Sequence, residues 1–540
     1  MSHHDHLTPP TVSKTPSMIS SPDEEMTVND PTHQGPFDKL GPTKKAILLA
    51  VFAMATAIDV LNISALLILT PDIAADLGLN AGNVTWVIVA YTLTFAGFLL
   101  FSGRLADIFP AQLVFLSGFG MLGILLLVSS FMDNKYAFLV LRALQGLAGS
   151  MTLPSAYHLI VHLYTDLTKQ RAALAMIGLI AGISNSLGIV LGGVFGLGNA
   201  SWRWLLRFLA ILALCAFAVG ALMMPLRKHT VSHTSQFSRL QRLDIGGAVI
   251  LTSSLCLFIL GLTSGTTDGW TSASFLAPFL ISLALFVGFW VWEGFQHDEK
   301  ALLPISLMRA PNLILLCFTA LTPFLWWATI QFELANVWQT AAYGYSPILV
   351  AARLLPMGLT GLAVGAVVHV FPVVLQRPKY TVLIGFLLSI VPGLVLLILS
   401  DGGRGNDYWA FLFPSFFIGS SGMFFAFLAI QVSVIQALPP SASGVAGGLL
   451  QIFLQIGSVI GLSVSAGLFS RVNNDFSNWD GVRYFSYFDI AWVGFTMIVF
   501  AIFYRPAKVS HPVSKSLKDE EGEGVAMTHG VTGSKGQQSV

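Results

Sequence analysis

Fourteen apolar runs divide this chain, and nothing in it constrains the fold more. A helix needs about 20 such residues to cross the hydrocarbon of a bilayer. The runs fall near 45–70, 84–103, 112–132, 136–158, 172–197, 204–224, 244–264, 274–295, 312–335, 346–371, 380–400, 408–435, 442–469 and 484–504. They predict an all-α integral membrane protein. Of the 540 residues, 54% are hydrophobic and 10% charged, where a soluble domain carries about 25% charge. The 50 glycines fit helices that approach closely in lipid. A net charge of +1 argues against nucleic acid as a partner. Cys215, Cys256 and Cys317 all fall inside apolar runs, with no disulfide or metal spacing.

An even number of spans puts both chain ends on one side, and basic residues say which. Lys44, Lys45, Arg104, Lys169, Arg171, Arg227, Lys228, Arg377, Lys379 and Arg505 are among those on the tail side. The opposite loops hold Lys135, Arg203, Arg404, Arg471 and Arg483. Both tails are therefore expected in the cytoplasm. The expected organisation is a polar tail over 1–44, a six-helix bundle over 45–224, a basic linker over 225–243 and two additional helices over 244–296. A second six-helix bundle over 297–505 and a polar tail over 506–540 complete it. The tails read as disordered, His3, His4 and His6 included. Asn83 and Asn199 begin short sequons on the side opposite the tails. Within the second span of each bundle, GRLADIFPAQL from Gly103 recurs as GAVVHVFPVVL from Gly365. That recurrence suggests two related bundles about a pseudo-two-fold axis.

No nucleotide loop and no metal motif occurs, so uphill transport would draw on an ion gradient; no cofactor is expected. No nucleophile, base and orienter stand together, so an enzyme is not expected. Ionisable residues inside a membrane are costly and mark function. Asp59 in the first span and Arg142 in the fourth fall at similar depth and can pair, as proton-coupling residues or as a structural ion pair. Glu333 and Arg353 offer a second pair with the same two readings. Asn62, one turn from Asp59, and Gln145, beside Arg142, continue a polar stripe that either touches substrate or bonds helices together. Phe324, Trp326 and Trp327 line an outer cavity or form an interfacial belt. Gly188, Gly192 and Gly193 lie on a small-residue stripe of the fifth span. His369 occupies the repeat offset of Asp107, as a titrating or a packing residue.

Several segments carry a resemblance to a known family. They are AIDVLNISALLILTPDI from Ala57, WVIVAYTLTFAGFLLFSGRLAD from Trp86, LRALQGLAGSMTLPSA from Leu141, SPILVAARLLPMGLTG from Ser346 and LPPSASGVAGGLLQIFLQIGSVIG from Leu438. Together they resemble the major facilitator superfamily, specifically its fungal fourteen-helix drug:proton antiporter branch. The resemblance implies two six-helix bundles plus two extra central helices, proton coupling at Arg142, and a tail-side conformational lock at Gly103, Arg104 and Asp107. In relatives that loop continues with basic residues; here Ile108, Pro110, Ala111 and Gln112 stand there. Asp107 is thus expected to find a partner at the end of the fourth helix, near Lys169 and Arg171, or at a helix N-terminus. The fifth-helix antiporter spacing survives in Ser184, Gly188, Gly192 and Gly193, with Ile189 in the usual place of proline. The implied function is a monomeric proton-coupled transporter that exports a small organic compound, drug or toxin, in the plasma membrane or the vacuolar one. Uptake or facilitated transport of a small solute such as ammonium, borate or a siderophore stands as the alternative, and a solute sensor as a remote one.

Overall fold

A computed structural model of the chain describes residues 37, 40–79, 86–197, 202–225, 243–297, 300–339, 343–471 and 479–505. Most of both tails, nearly all of the 225–243 linker and the two sequon asparagines lie outside these. Fourteen helices are long and apolar enough to cross a membrane, and there is no strand among the described residues. In chain order they are α1 (Pro42–Leu77), α2 (Trp86–Ile108), α3 (Ala111–Ser129), α4 (Lys135–Leu163), α5 (Leu167–Phe195), α6 (Trp202–Met223) and α7 (Ile245–Asp268). They continue as α8 (Ala273–Phe295), α9 (Leu313–Gln339), α10 (Pro347–Val370), α11 (Pro378–Leu399), α12 (Tyr408–Ala437), α13 (Ser443–Arg471) and α14 (Asp480–Phe503).

Local chemistry sets the helix ends. Pro42 opens α1 three residues before the apolar run begins, because proline is pre-shaped for a first turn and the Lys44 and Lys45 stems can lie beside apolar surface. The expected tail is shorter by those residues. Gly78 closes α1 in a left-handed conformation, φ 62°, which a side chain would resist. Asn134, Asp166 and Asp244 cap α4, α5 and α7 by accepting backbone N–H groups of their first turns.

Helices α1 to α6 pack together, as do α9 to α14. Between these halves α5 lies against α10 and α12, and α13 lies against α2 and α4. Helix α7 rests on both α2 and α13, with α8 outside it. The Gly103 and Gly365 repeats occupy corresponding seams: a Cβ on Gly103 would meet α13 at Gly444, and one on Gly365 would meet Leu179 of α5. Helices α11 and α12 contain π-helical turns at Ser389–Leu394, Tyr408–Leu412 and Ser415–Gly419. Polar backbone groups loosened there are answered across the pair: Ser415 donates to the Gly393 carbonyl at 2.6 Å, and Ser389 to that of Gly419 at 3.1 Å.

The tightest helix contact in the second half is between α9 and α13. A Cβ on Gly457 would stand 1.9 Å from the Leu321 carbonyl oxygen and 2.7 Å from its carbon. Backbone atoms have no rotamer by which to yield. Gly457→Ala is therefore expected to push these helices apart and to cost about 3 kcal/mol, the upper range of overpacking penalties. The loss of thermal stability of detergent-purified protein measures it, with Gly494→Ala, which meets nothing within 4 Å, as the control.

Candidate functional site

Asp59 is 3% exposed near the middle of α1 and accepts a short hydrogen bond from the Tyr91 hydroxyl of α2. Arg142, fully buried on α4, stacks its guanidinium over the same tyrosine ring, 4.8 Å from the centroid. Its own hydrogen bonds go to Asn62 Oδ1 at 3.1 Å, Gln145 Oε1 at 2.8 Å and the Val87 carbonyl at 2.9 Å. Gln145 in turn donates to Ser129 at 2.7 Å. The expected Asp59–Arg142 ion pair is not formed: Tyr91 stands between acid and base, satisfying one by its hydroxyl and the other by its π-face. Arg142 Nη2 has no hydrogen-bond partner. An uncommitted N–H on a buried cation beside a buried carboxyl is the kind of arrangement that can re-pair when a proton arrives. Small residues make room for it, since a Cβ on Gly149 would stand 2.6 Å from the Tyr91 hydroxyl and 3.0 Å from Asp59 Oδ1.

A second polar group crosses from one half of the molecule to the other. Ser64 of α1 donates to Asn185 Oδ1 of α5, and Asn185 Nδ2 donates to Gln331 Oε1 of α9 at 2.7 Å. One turn before Gln331, Trp327 packs 4.6 Å from the Phe424 ring of α12 and donates its indole N–H to Ser420 at 3.0 Å. Trp326 is completely buried. Both indoles sit at the midpoint of α9, so they form no belt at a membrane interface, and no outer cavity opens around Trp326. Asn185 and Gln331 escaped the sequence reading because neither is ionisable, although Asn185 stands next to Ser184 within the fifth-helix spacing.

The third group lies on the face that carries the chain ends. Asp107 Oδ1 accepts from the Gly444 N–H at 2.8 Å and contacts His158 Nδ1 of α4 at 2.7 Å, while Oδ2 accepts from the Val445 N–H at 2.9 Å. An acid of α2 thus caps the N-terminus of α13 in the other half, where the helix dipole favours negative charge. Gly103 permits the approach: a Cβ there would lie 2.4 Å from the Gly444 carbonyl oxygen. Arg171 donates to Gln436 Oε1 at 3.0 Å, and Gln436 donates to Gln170 at 2.9 Å, so α5 and α12 are tied at the same end. Arg104 lies near the Glu293 carboxylate of α8. His369 does not join this group. It is exposed in the last turn of α10, and the helix it would cap by symmetry, α5, already has its own Asp166.

Glu333 and Arg353 do not pair either. Glu333 points toward α13, where Ser465 donates to it. Arg353 donates to the Gly403 carbonyl at 2.6 Å and lies over the rings of Tyr345, Tyr408 and Trp338. Gly188 and Gly192 press α5 onto α1 at Ser64 and Ala65, and Gly193 faces Ile348 of α10 across the seam. An apolar groove of about 320 Å³ between α11 and α14, lined by Leu383, Leu387 and Ile498, is remote from all these polar groups and faces the lipid side.

The sequence model of the Major Facilitator Superfamily matches residues 52–462. The chain belongs to that superfamily. Among curated relatives it is 26% identical over 404 residues to a low affinity ammonium transporter of Saccharomyces cerevisiae, covering 73% of this chain and 75% of the relative. A major facilitator superfamily multidrug transporter of Aspergillus fumigatus is 24% identical, with 81% of each chain covered. A cephamycin export protein of Amycolatopsis lactamdurans is 26% identical over 87% of this chain and 93% of its own. The solved structure of a human organic anion transporter of the same fold superposes with a TM-score of 0.57 at 16% identity, covering 85% of this chain and 99% of that one. This member of the superfamily is thus a multi-pass membrane transporter, with fourteen helices long and apolar enough to cross a membrane among its described residues.

Proposed function

We propose that this transporter exports a small organic compound in exchange for protons, with Asp59 as the proton-binding group and the Ser64–Asn185–Gln331 region as the place where solute is held. The observation that carries the reading is the buried, unpaired carboxyl of Asp59 beside Arg142, whose Nη2 is free to answer it. Protonating Asp59 removes the negative charge that Arg142 faces across the Tyr91 ring and weakens, without abolishing, the bond from the Tyr91 hydroxyl, which alters the α1–α2–α4 contact. Solute enters between the halves where Asn185 and Gln331 now bond to each other, so binding replaces a cross-half hydrogen bond with bonds to solute. Tails and lock are on the cytoplasmic side, and the plasma membrane is the expected location of a protein that protects a cell by export. Relatives named for multidrug transport and for cephamycin export support this direction.

Uptake or facilitated movement of a small cation such as ammonium is the second reading, favoured by the ammonium transporter among the relatives and by Ile189 in place of the antiporter proline. The two differ in the sign of proton movement. Purified protein in proteoliposomes with an imposed pH gradient, supplied with a panel of amphipathic drugs and ammonium, tests both. Solute moving against the proton supports export; solute moving with it, or ammonium flux indifferent to it, overturns the export reading. Asn185→Ala is expected to weaken apparent affinity for the solute roughly tenfold while leaving the protein folded, the loss of about one buried hydrogen bond at 1–1.5 kcal/mol.

A further inference from the structure

Two carboxylates that the exchange described above does not use lie buried together in the second half. Glu333 of α9 is 1% exposed and Asp489 of α14 is fully buried. Thr329, one turn before Glu333 on the same face of α9, contacts Asp489 Oδ2 through its hydroxyl oxygen at 3.0 Å. The two acids are close enough for Glu333 to act electrostatically on Asp489. Glu333 Oε2 and Asp489 Oδ1 each lack a hydrogen-bond partner.

Among the described side chains, charges on the neighbouring helices do not compensate them. Cys317 lies at the far end of α9, and Tyr408 of α12 donates to the Arg353 carbonyl. On α10, Arg353 is held by Gly403 and three aromatic rings, and His369 is exposed at the opposite end. Lys379 and Tyr380 begin α11 on the tail side. On α14, Arg483 is paired with Asp480 at 3.0 Å, while Tyr484 and Tyr487 are exposed. Two negative charges buried together with no described cation beside them are prohibitively unfavourable, and a shared proton relieves them.

The hydroxyl partners of the two acids differ in a way that favours Asp489 as the seat of that proton. The Thr329 hydroxyl has one hydrogen and three oxygen neighbours: the Leu325 carbonyl at 2.8 Å, the Trp326 carbonyl at 3.1 Å and Asp489 Oδ2. The hydroxyl can donate to Asp489 Oδ2 or, with its hydrogen turned to a backbone carbonyl, accept from a protonated Asp489. Glu333, by contrast, already accepts from Ser465 and needs no proton to be bonded.

We propose that Glu333 and Asp489 form a second proton-binding site, built between α9, α13 and α14, in which Asp489 carries the proton and Glu333 is the carboxylate that retains it. The site is separate from Asp59 and stands or falls independently of it. Through Ser465 it is attached to α13, the same helix whose first turn is capped by Asp107.

Infrared titration of the full-length purified protein in lipid nanodiscs tests this by following the carbonyl stretch of protonated carboxylic acids as pH is raised. Besides any band from Asp59, the wild-type protein is expected to show a buried-acid band that persists in Asp59→Asn and disappears in Asp489→Asn. Glu333→Gln, which can still accept from Ser465, is expected to keep the band but move its titration toward lower pH. A band unchanged in Asp489→Asn, or one lost with Asp59→Asn alone, overturns the proposal. Because Glu333→Gln preserves shape, an unshifted titration in that variant overturns it as well, even where Asp489→Asn fails to fold.

Discussion

Asp59→Asn is expected to reduce gradient-driven solute movement to the background of empty vesicles while leaving solute-for-solute exchange close to the wild-type rate. The asparagine carbonyl can still accept the Tyr91 hydroxyl, so the contact of α1 with α2 survives. What disappears is the ability to take up a proton, and with it the electrostatic change that Arg142 would feel across the Tyr91 ring. Exchange needs only that the loaded protein change sides; net transport needs the empty protein to return with its proton. Flux assays in proteoliposomes, with and without solute on the far side, separate the two. Net flux retained at the wild-type level would remove Asp59 from the coupling scheme.

The second large effect is expected at the cross-half cap. Asp107→Asn keeps an acceptor but loses the charge that two amides of α13 and His158 share. Hydrogen bonds to a charged group contribute about 2 kcal/mol each, so the loss of charge across both amides is worth up to about 4 kcal/mol. At 1.4 kcal/mol per tenfold, the closed form loses roughly a hundredfold or more of its advantage. Spin labels on the exposed Leu167 and Tyr380, at the tail-side ends of α5 and α11, should report longer distances in the variant. His158→Ala removes one partner and leaves both amides, and is expected to shift the distribution less. An Asp107→Asn distribution identical to wild type would show that the cap does not hold the face closed.

Depth in the membrane was readable from the sequence, and rotation about each helix axis was not. Counting residues from span ends placed Asp59 and Arg142 at one level and one-turn spacing put Asn62 and Gln145 on their faces, and the four do lie together, because that spacing also fixes their mutual rotation. The same count placed Glu333 and Arg353 at one level, yet they turn away from each other, one toward α13 and the other into the rings of Tyr345 and Tyr408. The loop motif made Gly103 and Asp107 legible, and the missing basic residues pointed to a partner elsewhere. That partner includes a histidine whose importance only the approach of α4 reveals. Tyr91, Asn185, Gln331 and Asp489 were passed over. Three carry no charge and belong to no spacing rule, and Asp489 lies near the start of a span, where an acid is unremarkable until the fold buries it.

The pair α7 and α8 gives the molecule a front and a back. Helix α7 lies along the line where α2 of one half meets α13 of the other, and it is fastened to α2 by Thr252, which donates to the Gly97 carbonyl at 2.8 Å. Outside it, α8 turns Leu280, Phe286, Val287 and Val291 to the lipid. Fatty chains and anything dissolved among them are kept from that junction. The opposite junction of the halves, bounded by α5, α10 and α12, has no such extra pair laid over it among the described residues, so a solute arriving sideways from the bilayer would meet that flank unshielded.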